Sequence, residues 1–252
     1  MNSTTNGMAT PETPKTPKTP TTPVTKTDPT VRLLFAAAPA CFLAGWLLMR
    51  PIDGQAEPGG WWTAAHAVWL AGFLMFAAMS LRFGRLITTG DAGPAAGLTA
   101  GRRAALGVSV VTVLLSSLVN VVQLVLDLVG GFRAADRAEL QDMFAGVKDI
   151  PGAEQLIYGV GAQLVFVGLV VFAVLAAVAR RAGAWAAGLV TGGTVVLAVA
   201  MGFGRNHWLV PVGMTVLLAG LVVLGEQLAG RPGGPGDSRR APAAWLSRTP
   251  AG

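Results

Sequence analysis

An all-α polytopic transmembrane bundle of six helices is predicted by three features of the chain. Only 13% of its 252 residues are charged while 52% are hydrophobic, about half the charged fraction usual in water-soluble domains. The charges are also segregated. Residues 33–49, 58–81, 104–126, 155–179, 182–204 and 206–225 contain no Asp, Glu, Lys or Arg. A helix needs about 20 mostly apolar residues to cross the hydrocarbon core, with roughly 17 as the lower limit, and all six stretches satisfy it. Finally, the basic residues gather on one side. With the N-terminus placed in the cytoplasm, the outer segments hold only Arg50, Arg133, Arg137, Lys148 and Arg205 of the 19 Lys and Arg residues. That is the positive-inside asymmetry. It predicts a multi-pass protein of the cell (plasma) membrane with both termini cytoplasmic.

The spans are expected at about 32–49, 61–81, 104–128, 156–179, 183–203 and 207–227, within a membrane domain covering 32–228. A pI near 10.4 would suggest nucleic acid in a soluble protein. Here the basic residues flank the spans, so the lipid bilayer is the expected partner and nucleic acid is not. A second copy or another membrane protein is left open as a further partner.

Residues 1–31 form a Thr/Pro-rich tail with a repeated "PKT". It lacks the apolar surface needed to fold, so it is expected to be disordered and extended. Its plain reading is a solvated cytoplasmic leader, and a phosphorylatable switch is the alternative. A polar opening of this kind is not an ordinary signal peptide. Span 1 carries Cys41, the single cysteine, which excludes an intrachain disulfide. Span 2 opens on Trp61 and Trp62, read as an interfacial anchor. Pro39 and Pro211 are expected to kink spans 1 and 6.

The outer loop 131–155 has Leu140, Met143, Phe144 and Val147 at i, i+3, i+4 and i+7, the pattern of a short amphipathic helix. It is expected to rest in the headgroups, with a lid over the bundle as the alternative. Spans 4 and 5 are joined by the tight turn "RRAG" and should be antiparallel neighbours. Span 5 carries Ala182, Ala186, Gly188, Gly192 and Gly193, small residues that let helix backbones approach closely. Glu226 is expected to reach water at the inner surface, and residues 229–252 form a second disordered cytoplasmic tail. No span shows a break at mid-membrane.

Span 3 contains Ser109, Thr112, Ser116, Asn120, Gln123 and Asp127. At 100° per residue these six fall within an arc of roughly 80°. Polar groups facing lipid would each cost on the order of a few kcal/mol, so this face must meet other helices or water. An intramembrane acid is by default a functional candidate. Span 2 places Trp62, His66, Trp69 and Phe73 on one face, span 4 carries Gln163, and span 6 opens with "RNHW". These groups converge at similar depth. The sequence thus predicts an outward-facing polar pocket lined by His66, Asn120, Gln123, Asp127 and Gln163.

The functional expectation is small-solute or ion binding or transport through that pocket. The alternative is a non-catalytic partner subunit or sensor with a regulatory Thr-Pro tail. No catalytic residue, metal site or cofactor is predicted. His66 and His207 are the only histidines, and Ser116 or Ser117 with His66 would be the only serine–histidine arrangement, at unequal depths. The order "GGWWTAAHAVWLAGFLMF" followed by a polar-striped span, in an Arg-, Ala-, Gly- and Val-rich body, resembles uncharacterised six-span integral membrane proteins of high-GC actinobacteria. The resemblance spans residues 32–228 and implies the topology; it carries no catalytic residues.

Overall fold

The computed structural model describes residues 28–88, 99–202 and 208–230. The Thr/Pro tail, Arg205 to His207 of the "RNHW" mouth and the C-terminal tail lie outside these, so the expectations placed on them have no structural counterpart here.

The described residues form α1 (Pro29–Leu48), α2 (Gly60–Thr88), α3 (Ala100–Arg133), α4 (Arg137–Lys148), α5 (Val160–Val178), α6 (Ala184–Gly202) and α7 (Leu209–Gly230). All but α4 are long and apolar enough to cross a membrane, α5 together with the turn before it. The chain is an all-α membrane bundle. Consecutive long helices are neighbours: α1 packs on α2, α2 on α3, α3 on α5, α5 on α6 and α6 on α7, while α1 against α7 closes the ring.

Local chemistry sets the helix ends. Asp28 accepts the N–H of Thr30 at 2.9 Å, with Pro29 opening α1. Thr99 caps α3 through Arg102 N–H. In "DRAE", Asp136 accepts from Glu139 N–H at 3.0 Å while the Glu139 carboxylate accepts from Ala135 N–H at 2.7 Å. This reciprocal use of the side chains is close to a capping box and starts α4 sharply. At the other end of the bundle, Arg32 and Glu226 pair at 3.0 Å, tying the start of α1 to the end of α7. Glu226 therefore has a protein partner where the sequence suggested only surface water.

Three further expectations change. The amphipathic face of α4 turns onto the bundle and not into headgroups: Leu140 is fully buried with Trp62, Ala65 and Met49. Gly130 makes room for it, since a methyl group there would lie 2.9 Å from Leu140 Cδ1. Pro211 is the third residue of α7, within the first turn where no intrahelical N–H bond is lost, so it helps to start that helix. Span 4 is not one continuous helix. A π-helical turn, Glu154–Tyr158, is separated from α5 by Gly159 at φ −112° and ψ −127°.

The core is built from aromatic and small residues. Phe83 stacks on Phe172 with ring centres 4.5 Å apart. Where α6 meets α7 the backbones nearly touch. A methyl group on Gly193 would lie 2.5 Å from Leu217 N, and one on Gly220 would lie 2.7 Å from Val190 N. Gly188 and Gly192, read with Gly193 as one packing face, have nothing within 4 Å.

Candidate ligand site

Tryptophan and glycine together assemble the α4 end of the bundle. Trp69 of α2 lies over Gly45 of α1 and donates its indole N–H to the Phe42 carbonyl at 3.0 Å. Trp62, two turns earlier, lies over Gly131 and donates to the Asp127 carbonyl at 3.1 Å. These two contacts clamp α2 to both of its neighbours. They also fix His66, which sits between the indoles with ring centres 3.8 Å from Trp62 and 5.2 Å from Trp69.

His66 Nδ1 is 2.7 Å from the Trp62 carbonyl oxygen. A carbonyl can only accept, so Nδ1 carries a proton and donates it. The other ring nitrogen, Nε2, faces Asp127 Oδ2 at 3.6 Å, longer than a hydrogen bond. His66 is 3% exposed, Asp127 4% and Asn120 7%. Gln123 stands one turn before Asp127 on the same wall.

The stripe on α3 divides at Asn120. Below it, Ser109 donates to Ala105 of its own helix at 2.7 Å. Ser116 reaches into α5: its hydroxyl donates to the Gly161 carbonyl at 2.8 Å, with Ala162 O at 3.2 Å, and accepts from Val165 N–H at 2.8 Å. It thereby bridges Gly161 and Val165, which lie one turn apart on α5. Asn120 donates to Ser116 O at 2.8 Å and to Ala162 O at 3.0 Å. Ser116 and Asn120 thus join α3 to α5, while Ser109 bonds within its own helix. The Ser116 hydroxyl is held by α5 and Ser117 Oγ has no hydrogen-bond partner, so neither serine bonds to His66.

Above Asn120 lies a cavity of about 690 Å³. His66, Asn120, Gln123, Asp127 and Gln163 all stand on its wall, drawn from α2, α3 and α5. Trp46, Trp62, Trp69, Phe73 and Phe166 make its sides aromatic, Gln141 and Phe144 of α4 close over it, and Arg50 and Asp53 reach its rim. Two wall residues that the sequence did not single out are Trp46 and Tyr158. The Trp46 indole N–H and the Tyr158 hydroxyl are buried without a hydrogen-bond partner. Tyr158 packs against Phe144 at 6.5 Å between ring centres, with Lys148 Nζ 5.6 Å from its own ring. It is the chain's only tyrosine, a signal that composition alone could have raised.

Among the described residues no three of His, Cys, Asp and Glu come together as metal ligands. The chemistry on offer is one buried His–Asp pair, a set of amides and an aromatic surround. Comparison with family models, curated proteins and solved structures gave no match.

Proposed function

We propose that this integral membrane protein binds a small solute in the cavity at the α4 end of its bundle. The carrying observation is the convergence of polar side chains from three helices on one cavity, where lipid-facing helices gain nothing from keeping them. Buried polar groups left without partners, at Trp46 and Tyr158, fit a site whose hydrogen bonds are completed by a ligand. With the termini cytoplasmic and the protein in the plasma membrane, as the basic residues indicate, the cavity faces outward. Below Asn120, Ser116 is held by α5 and Ser109 by its own helix, and the cavity reaches no deeper along α3 than Asn120. Passage across the membrane then requires α5 to move, and its interrupted start at Gly159 is the natural place for that.

The test is thermal unfolding of the purified protein in detergent against inorganic ions and anionic, cationic and neutral organic solutes. A ligand that binds only the folded state adds about 2.7 kcal/mol at a hundred times its dissociation constant. The midpoint should rise for one class of solute, and Gln163→Ala should weaken that rise. If no class of solute raises the midpoint, the cavity is not a binding site.

A further inference from the structure

The charge of the solute follows from the geometry of two side chains, and this step rests on the solute-binding reading above. Because the Trp62 carbonyl holds the proton on Nδ1 of His66, one further proton decides what Nε2 and Asp127 Oδ2 show each other across 3.6 Å. It sits on Oδ2 facing a bare Nε2, or on Nε2 facing an ionised carboxylate. In both arrangements the pair is neutral overall. Without that proton the pair bears one negative charge, in a site walled by Trp46, Trp62, Trp69, Phe73 and Phe166. An uncompensated charge in such surroundings is strongly disfavoured.

A monovalent cation beside Asp127 restores neutrality. Aromatic faces attract cations that have shed their water, which favours an organic cation over a strongly hydrated metal ion. A cavity of about 690 Å³ also has room for a molecule many times larger than a bare ion. Among the described residues, the other charged and titratable groups near the cavity are few. Tyr158 of the π-helical turn lines the same cavity as Asp127, and Lys148 Nζ lies 5.6 Å from its ring. Arg50 and Asp53 at the rim are of opposite sign, and Arg50 lies 5.7 Å from the Trp208 ring. Among the residues lining the cavity, α4, α5, α6 and α7 contribute no ionisable group.

We propose that the cavity binds a monovalent organic cation against Asp127, and that its entry displaces the single proton shared by Asp127 and His66. The exchange balances: one positive charge enters as one leaves, and the proton passes to water.

The experiment is titration calorimetry of the full-length protein with tetraphenylphosphonium from pH 5 to 8, in two buffers of different protonation enthalpy. Triphenylphosphine oxide serves as the neutral counterpart. Where the pair is protonated, about one proton should be released per cation bound, and affinity should rise about tenfold per pH unit until the pair is empty, then level off. Asp127→Asn should abolish both proton release and pH dependence. If that variant does not fold, His66→Gln keeps the carboxyl group and should move the proton release along the pH axis. Binding without proton release at any pH, an oxide that binds as tightly as the cation, or variants that behave as wild type would each overturn the proposal. A cation that does not bind, when the solute panel finds a neutral or anionic ligand, overturns the exchange and leaves the binding site standing. If neither experiment finds a ligand, both readings fall.

Discussion

The hydroxyl of Ser116 on α3 accepts the backbone N–H of Val165 on α5 at 2.8 Å and donates to the Gly161 carbonyl at 2.8 Å, so it bridges one turn of α5. Ser116→Ala removes the hydroxyl and with it the buried hydrogen bonds that join α3 to the α5 backbone, a loss of about 1–3 kcal/mol. Ser109 provides the contrast. Its hydroxyl returns to Ala105 of its own helix, so Ser109→Ala should stay within about 0.5 kcal/mol of wild type. Unfolding titrations in mixed micelles would separate the two, and equal effects would count against the role given to Ser116.

Gly131 holds the indole of Trp62 in place, and Trp62 in turn holds His66. A methyl group at residue 131 would lie 2.6 Å from Trp62 Cδ1, so Gly131→Ala must push the indole aside. Overpacking of this kind costs about 1–3 kcal/mol. The displaced indole would also loosen the stacking on His66, so ligand affinity should fall with stability. Gly146, on α4, has nothing within 4 Å, and Gly146→Ala should stabilise by about 0.5–1 kcal/mol through the helix backbone alone. Thermal midpoints of the two variants should move in opposite directions.

Much of this arrangement was legible in the chain, for reasons that differ by element. The six spans follow from charge exclusion and length, which the bilayer enforces without regard to neighbours. His66, Asn120, Gln123, Asp127 and Gln163 reach one wall because helical phase fixes the face and distance from the span end fixes the depth. What a neighbour decides was hidden. The apolar face of α4 suits headgroups or protein equally well, and only the gap beside Gly130 favours protein. The Ser116 bonds to Gly161 and Val165 arise where α3 meets α5, and no local pattern in span 4 announces them or the interruption at Gly159.

The Arg32–Glu226 pair closes the ring between α1 and α7 at 3.0 Å, but its side chains are 43% and 51% exposed. Exposed pairs contribute about 0–1 kcal/mol and are weakened further by salt. Glu226→Gln should therefore leave the midpoint nearly unchanged, with any loss shrinking as salt is added. A large, salt-independent loss would show that the pair is better shielded than its exposure implies.

Gly192 and Gly193 are adjacent in sequence and opposite in role. Successive residues on a helix point about 100° apart, so only one of the two can face α7. Gly193 does: its missing side chain lets α6 come within van der Waals range of the α7 backbone at Leu217 and Gly213. The obstruction is backbone, which cannot rotate away, so Gly193→Ala must part the two helices along their contact. Without a hydrophobic drive between helices in lipid, close packing is a main source of association, and the cost should reach at least the ~1–3 kcal/mol of ordinary overpacking. Parting α6 from α7 would also shift Leu197 and Met214, both on the cavity wall, so solute binding should weaken as well. Gly192 meets nothing within 4 Å. Gly192→Ala gains helix propensity without a clash and should be neutral or stabilising by up to about 1 kcal/mol. The pair of midpoints, measured side by side in one detergent, checks the register of α6 against α7. Equal losses at both positions would mean that Gly192 also meets a partner, such as a second copy of the chain.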